Sequence, residues 1–257
     1  MIRRYLSRPQ FIIVAAIVVA AQFIPLPFVV LQPGPTYNLL GKALTLPVGL
    51  TAGSSENSGQ LLATTVYVTN PSARIFAPQL LVAWANGQMA VYPREVIYPK
   101  SESAKQTLAA GKAEMTSSEA SAISAAANFI STLPSNKSAL ANQLRSAKIK
   151  FSLQETGGPS AGLGFALSLI DRIVDPALIS NRTVAATGTI TPDGAVGAIG
   201  GIDQKLSGAA RSGATLFLLP RENCVDISRV PHGLQLAPVS SLSEAVHVLS
   251  GAISTHC

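Results

Sequence analysis

The stretch 160–174 constrains the fold more than any other part of the chain. Leu163, Phe165, Leu167, Leu169, Ile170 and Ile173 make a helix of that length apolar nearly all round. Such a helix is buried centrally and not laid on a surface. The chain must therefore enclose it in a substantial core, and 257 residues are enough to do so without staples. The flanking pattern indicates what the enclosing layers are. Strands are expected at 45–50, 61–68, 148–153, 183–191, 215–219 and 234–239, where β-branched and apolar residues alternate or run together. Helices are expected at 116–132, at 202–211 and after Ser241. Thr116 with Glu119 and Ser241 with Glu244 have capping-box spacing. Ala120, Ile123, Ala127 and Ile130 would share one face of the first, and Leu242, Ala245, Val246 and Leu249 one face of the last. Helices alternating with strands describe a mixed α/β (α+β) domain.

The N-terminus carries a second apolar run. Arg3, Arg4 and Arg8 precede 11–31, which is interrupted only by Gln22, Pro25 and Pro27. About 20 apolar residues span a bilayer core, and basic residues before the span favour a cytoplasmic N-terminus. The expectation is a cytoplasmic segment 1–9, a transmembrane anchor 10–31, a juxtamembrane linker 32–56 and an extracytoplasmic domain 57–257 at the cell membrane. A cleaved signal peptide ending near Val19-Ala20-Ala21 is the rival interpretation.

Setting aside those three arginines leaves 16 basic against 13 acidic residues, a surplus of three without a basic run. That balance argues against nucleic acid as a partner. Cys224 and Cys257, both in the expected exported part, suggest one disulfide; two unpaired thiols are the alternative. No CxxC or His/Cys cluster is present, so neither a metal nor a cofactor is called for.

Chemistry is concentrated at two glycine-framed segments, Gly157-Gly158-Pro159-Ser160-Ala161-Gly162 and Gly200-Gly201-Ile202-Asp203-Gln204-Lys205. Ser160 falls where a strand gives way to the buried helix. Backbone N–H groups and the positive end of a helix dipole there suit an oxyanion. Gly157, Gly158 and Gly162 allow close approach of a substrate backbone, and Pro159 fixes the turn. A glycine-rich turn with Ser160 as a simple helix cap is the plainer account. A lysine serving as general base must lose about 4–5 kcal/mol of its preference for the proton to move from a pKa near 10.4 to about 7. Lys205 is suited to that, in the first turn of a helix among Ile199, Ile202 and Leu206. An ordinary lysine with a solvated head is the plainer account here too.

Gly158-Pro159-Ser160-Ala161-Gly162, Thr187-Gly188-Thr189-Ile190 and Ile199-Gly200-Gly201-Ile202 followed by Lys205 resemble the proteolytic domain of Lon proteases, in particular the membrane-anchored Lon-like proteases of bacteria. The resemblance covers about 57–250 and implies an α/β Lon-type domain with Ser160 as nucleophile and Lys205 as base. It also implies that the Thr187 hydroxyl steadies the lysine, that the substrates are peptides or unfolded and exported proteins, and that a homo-oligomer is possible. No GxxxxGK[ST] occurs, so the implied endopeptidase is ATP-independent. Such anchored relatives usually carry a PDZ domain where this chain has only 133–147. The glycine-rich segments are also free to leave the site unassembled until substrate arrives, an idea that a preformed Ser160–Lys205 hydrogen bond would count against.

Two other functions fit parts of the pattern. Gly158-Pro159-Ser160-Ala161-Gly162 has the G-x-S-x-G form of an esterase elbow, with Asp226 and His232 or His247 as partners. Little chain precedes Ser160 to build that fold's early sheet. A non-catalytic scaffold needs none of Ser160, Thr187 and Lys205.

Overall fold

The computed structural model describes residues 8–47, 49–50, 59–98, 103–134, 137–153, 156–253 and 256–257. In chain order its elements begin with α1 (Arg8–Ala21), β1 (Phe28–Asn38), β2 (Leu44–Thr45), β3 (Gln60–Val68), α2 (Ala77–Ala85), β4 (Ala90–Pro93) and α3 (Arg94–Ile97). There follow α4 (Ala104–Thr132), α5 (Ser138–Ser146), β5 (Lys150–Phe151), α6 (Gly162–Ile173), β6 (Thr183–Ala186), β7 (Thr189–Ile190) and β8 (Val196–Gly197). The chain closes with α7 (Ile202–Arg211), β9 (Leu216–Pro220), a 3-10 turn (Arg221–Asp226), β10 (Gln235–Val239) and α8 (Leu242–Leu249). Two compact units result, Met1–Gln32 with Tyr67–Ala104, and Pro33–Val66 with Lys105–Cys257.

In the first unit the expected transmembrane anchor over 10–31 is not found. Among the described residues no helix is long and apolar enough to cross a membrane. α1 has 14 residues, about 21 Å at 1.5 Å per residue against a hydrocarbon core of about 30 Å. The cause lies in Pro25 and Pro27, which lack an N–H and obstruct the preceding turn, so the helix stops at Ala21. The last apolar residues of the run join a sheet instead, with Phe28, Val29, Val30 and Leu31 paired antiparallel to Pro93, Tyr92, Val91 and Ala90 of β4. The α/β fold class therefore stands without the preceding transmembrane helix. The single-pass cell-membrane location that rested on that span loses its support.

The second unit is built on parallel strands in the order β10-β9-β6-β3, with β1 beyond β3. Alternation along each strand sorts side chains onto two faces. Leu61, Ala63, Val184, Ala186 and Leu218 pack with α4, α6 and α8 in one cluster. Leu62, Ala185, Phe217 and Leu219 pack with Ile202, Leu206 and Ala209 of α7 in the other. The sheet is thus a middle layer with α6 on one side and α7 on the other. Every residue of α6 except Arg172 is buried, as a helix apolar nearly all round requires.

α4 begins three turns before the Thr116–Glu119 spacing suggests. Residues 104–115 are mostly Ala, Lys, Gln, Leu, Glu and Met, which favour helix without forming an apolar stripe. Thr116 lies inside the helix and its Oγ1 donates to the Lys112 carbonyl. The buried face runs through Ser118, Ala122, Ala125 and Ala126, while Ala120 is exposed. At α8 the cap is real, with Ser241 Oγ accepting the Glu244 N–H at 3.1 Å. Glu244 Oε2 answers to the Ser240 N–H instead of that of Ser241.

Candidate active site

The loop before α6 is held from three sides. Gly158 has φ +89°, a conformation that favours glycine, and its N–H donates to the Gly111 carbonyl on α4 at 2.8 Å. Gly157 passes so close that a Cβ there would lie 3.2 Å from the Gly111 carbonyl carbon. The Pro159 carbonyl accepts the Ser118 hydroxyl at 2.9 Å. The Ser160 carbonyl accepts both the Gly188 N–H at 2.9 Å and the Thr187 hydroxyl at 3.1 Å. Ala161, not Ser160, occupies the N-cap position of α6. The Ser160 side chain is therefore released from capping and points to other chemistry.

That partner is Lys205. It is the fourth residue of α7 and only 2% exposed. Gly201, in the left-handed region at φ +69°, turns the chain into the helix. The Asn223 side-chain amide clamps Ile199 just before it, accepting the Ile199 N–H and donating to its carbonyl, each at 2.9 Å. Lys205 Nζ lies 2.8 Å from Ser160 Oγ and 3.1 Å from Thr187 Oγ1. Burial lowers its pKa from 10.5 to about 7 by disfavouring the charged form. Burial is the whole cause of the shift, and the Asp203 carboxylate is turned to Ser228, whose N–H its Oδ1 accepts at 3.0 Å. A lysine near neutral pKa touching a serine hydroxyl can act as a proton acceptor. The ready-made contact counts against an unassembled resting site.

Gly157, Gly158 and Pro159 line the approach to Ser160. Because Gly158 already donates to Gly111, its N–H is committed in this state. The residues nominated for an esterase lie elsewhere. Asp226 accepts from Asn223 Nδ2 at 2.8 Å, His232 is exposed in the turn before β10, and His247 is exposed on α8. Cys224 and Cys257 are joined by a disulfide with Cα atoms 5.3 Å apart. Among the described residues no group of three or more His, Cys, Asp or Glu could hold a metal. Ser118, Gly111 and Asn223 went unnoticed in the sequence. Ser118 is four residues before Ala122 on the small-residue face of α4 and could have been found from that stripe. Asn223 carries no local signal.

Residues 113–253, more than half of the chain, match the family described as the Lon protease (S16) C-terminal proteolytic domain. The chain belongs to this family. Its Lon-type domain is thus of serine-peptidase class. The Lon protease of Chloroflexus aggregans is 38% identical over 101 residues, which are 38% of this chain and 12% of that protein. Lon protease 1 of Bacillus subtilis is 38% identical over 99 residues, 37% of this chain and 12% of that protein. Lon protease 2 of Herpetosiphon aurantiacus is 42% identical over 78 residues, 30% and 9% of the two chains. The likeness therefore spans between 9% and 12% of the length of these relatives.

Proposed function

We propose that this Lon-type domain is an endopeptidase that cleaves peptides or unfolded polypeptides through a Ser160–Lys205 dyad, without nucleotide. The observation that carries this is the 2.8 Å approach of Lys205 Nζ to Ser160 Oγ in a setting where burial brings the lysine pKa to about 7. Nucleotide independence is supported by the sequence given, in which no GxxxxGK[ST] occurs.

A neutral amine has two N–H bonds and one lone pair. One N–H goes to Thr187 Oγ1, whose own proton goes to the Ser160 carbonyl. The lone pair is thereby left for the Ser160 hydroxyl. As Oγ attacks the scissile carbonyl carbon, Nζ takes its proton and becomes an ammonium. The ammonium protonates the departing amine, and the acyl group stays on Oγ. Water then attacks the ester as Nζ takes its proton, and the ammonium returns a proton to Ser160 Oγ as the acyl–Oγ bond breaks, so that the acid leaves with the hydroxyl and the neutral lysine restored. Backbone N–H groups of the loop 157–160 would stabilise the oxyanion. Gly158 could join them only by releasing the Gly111 carbonyl.

The test is hydrolysis of an unfolded protein by the full chain in nucleotide-free buffer, beside Ser160→Ala and Lys205→Ala. Loss in both folded variants supports the dyad. Retention in Lys205→Ala would remove lysine from the mechanism, and dependence on added nucleotide would remove the ATP-independence.

A further inference from the structure

One buried hydroxyl of the central sheet has no partner among the described residues. Thr64 is 4% exposed, and its Oγ1 makes no hydrogen bond there. Buried hydroxyls are nearly always paired, so an orphan needs a reason.

Its place on the sheet supplies one. Ala63 of β3 and Ala186 of β6 are the last register partners of their parallel pair. Thr64 and Thr187 follow them, side by side at a strand spacing of about 4.8 Å. Side chains alternate along β3. Leu61 and Ala63 face α6, while Leu62 faces Ile202 and Leu206 of α7. Thr64, two residues after Leu62, shares the α7 face, where Thr187 already meets Lys205. The register thus puts two threonines on the sheet face that Lys205 meets, and among the described residues only Thr187 is engaged.

The electron bookkeeping of the dyad leaves a use for the other. When Lys205 takes the serine proton, its amine with two N–H bonds becomes an ammonium with three. Ser160 and Thr187 can receive two of them. Four charged side chains of α6, α7 and the 3-10 turn have partners of their own. Asp203 accepts from Ser228 and Asp226 from Asn223. Asp171 accepts from Ile179, and the Arg172 guanidinium donates to the Leu40 carbonyl. Glu114 approaches Gly158.

We propose that Thr64 is a positioning residue for Lys205, its hydroxyl accepting the third N–H of the ammonium through one bound water or after a single side-chain rotation. This rests on the Ser160–Lys205 mechanism above. The orphaned oxygen of the resting state is then an acceptor held for the charged state.

The experiment follows the rate at which a fluorophosphonate probe labels Ser160 in the full chain, from about pH 5 to 9. Thr64→Val keeps the shape and removes the acceptor. The expected result is a plateau rate lower by about tenfold, with the acid limb displaced to lower pH, because the ammonium is less well held and deprotonates more easily. Thr64→Ser should restore both. Thr64→Ala replaces Thr64→Val should the latter fail to fold. An unchanged profile overturns the proposal. A lower plateau with the limb unmoved also overturns it, since lost packing alone would give that. Labelling that survives in Ser160→Ala defeats the dyad itself, and the Thr64 role with it. Normal dyad behaviour with a silent Thr64→Val defeats the Thr64 role alone.

Discussion

Lys205 and Asp171 are equally buried, at 2% exposed, yet the domain treats their charges differently. Asp171, near the end of α6 away from Ser160, is raised from 3.8 to about 6 by burial, against the pull of the Ile179 N–H and the Arg172 charge. Its Oδ1 accepts that N–H at 3.0 Å and fastens the turn after α6. At neutral pH it is an ionised carboxylate with a fixed backbone partner. Lys205 is lowered to about 7 by burial, and its partners are the hydroxyls of Ser160 and Thr187. Burial marks both residues. What separates a fastener from a candidate base is the partner, a committed amide in one case and an ionisable nucleophile in the other.

The strongest way to break that contrast is to remove the reactive pair. Ser160→Ala and Lys205→Ala should each lower peptide hydrolysis by about 10³-fold or more, while Asp171→Asn should leave it near native. Activity assays on folded variants, checked by circular dichroism, decide it.

Next in size is the effect of each charge on stability. The folded pKa of Lys205 lies below its unfolded value, so the unfolded chain binds the extra proton between about pH 7 and 10.4. Stability relative to Lys205→Met should therefore be lowest below pH 7 and rise by about 4–5 kcal/mol as pH approaches 10. Urea denaturation of both proteins across that window gives the difference.

Thr187→Val sharpens the point about partners. It removes the acceptor of the Lys205 N–H and the donor to the Ser160 carbonyl. A fall of about 10- to 100-fold in kcat is expected, equivalent to about 1.4–2.7 kcal/mol. Thr187→Ser should recover most of it, as steady-state kinetics would show.

Asp171→Asn carries the smallest effect and the opposite sign with pH. The raised carboxyl favours the folded state below its unfolded pKa of about 3.9 and loses that advantage as pH rises through 6. The native protein should lose about 1–2 kcal/mol relative to Asp171→Asn over that interval, allowing for screening of the charge. Denaturation at pH 4 and pH 7 measures it.

How much the sequence reveals is clearest in the two helices that are apolar nearly all round. For α6 the pattern and its setting agree, since strand-forming stretches on both sides supply the sheet that covers it. For α1 the same kind of pattern misleads. Its end is decided by Pro25 and Pro27, and the following apolar residues are consumed by pairing with β4, a partner more than 50 residues away in the chain. Ser160 and Lys205 stand out as candidates in the sequence because glycines frame them at the start of helices, whereas Thr187 is reached only through the resemblance to Lon proteases. Gly111 and Thr64 do not stand out, because each depends on register or on a crossing between distant segments. The first three turns of α4 were hidden by propensity without periodicity.

The most direct test of the account is the pKa of Lys205 in the folded protein, read from the Nζ and Cε chemical shifts of labelled lysine in native protein and Lys205→Met. A titration near 7, absent from the variant, is the predicted result. A lysine that stays charged to a pH near 10 could not take the Ser160 proton at neutral pH, and the proposed mechanism would be wrong.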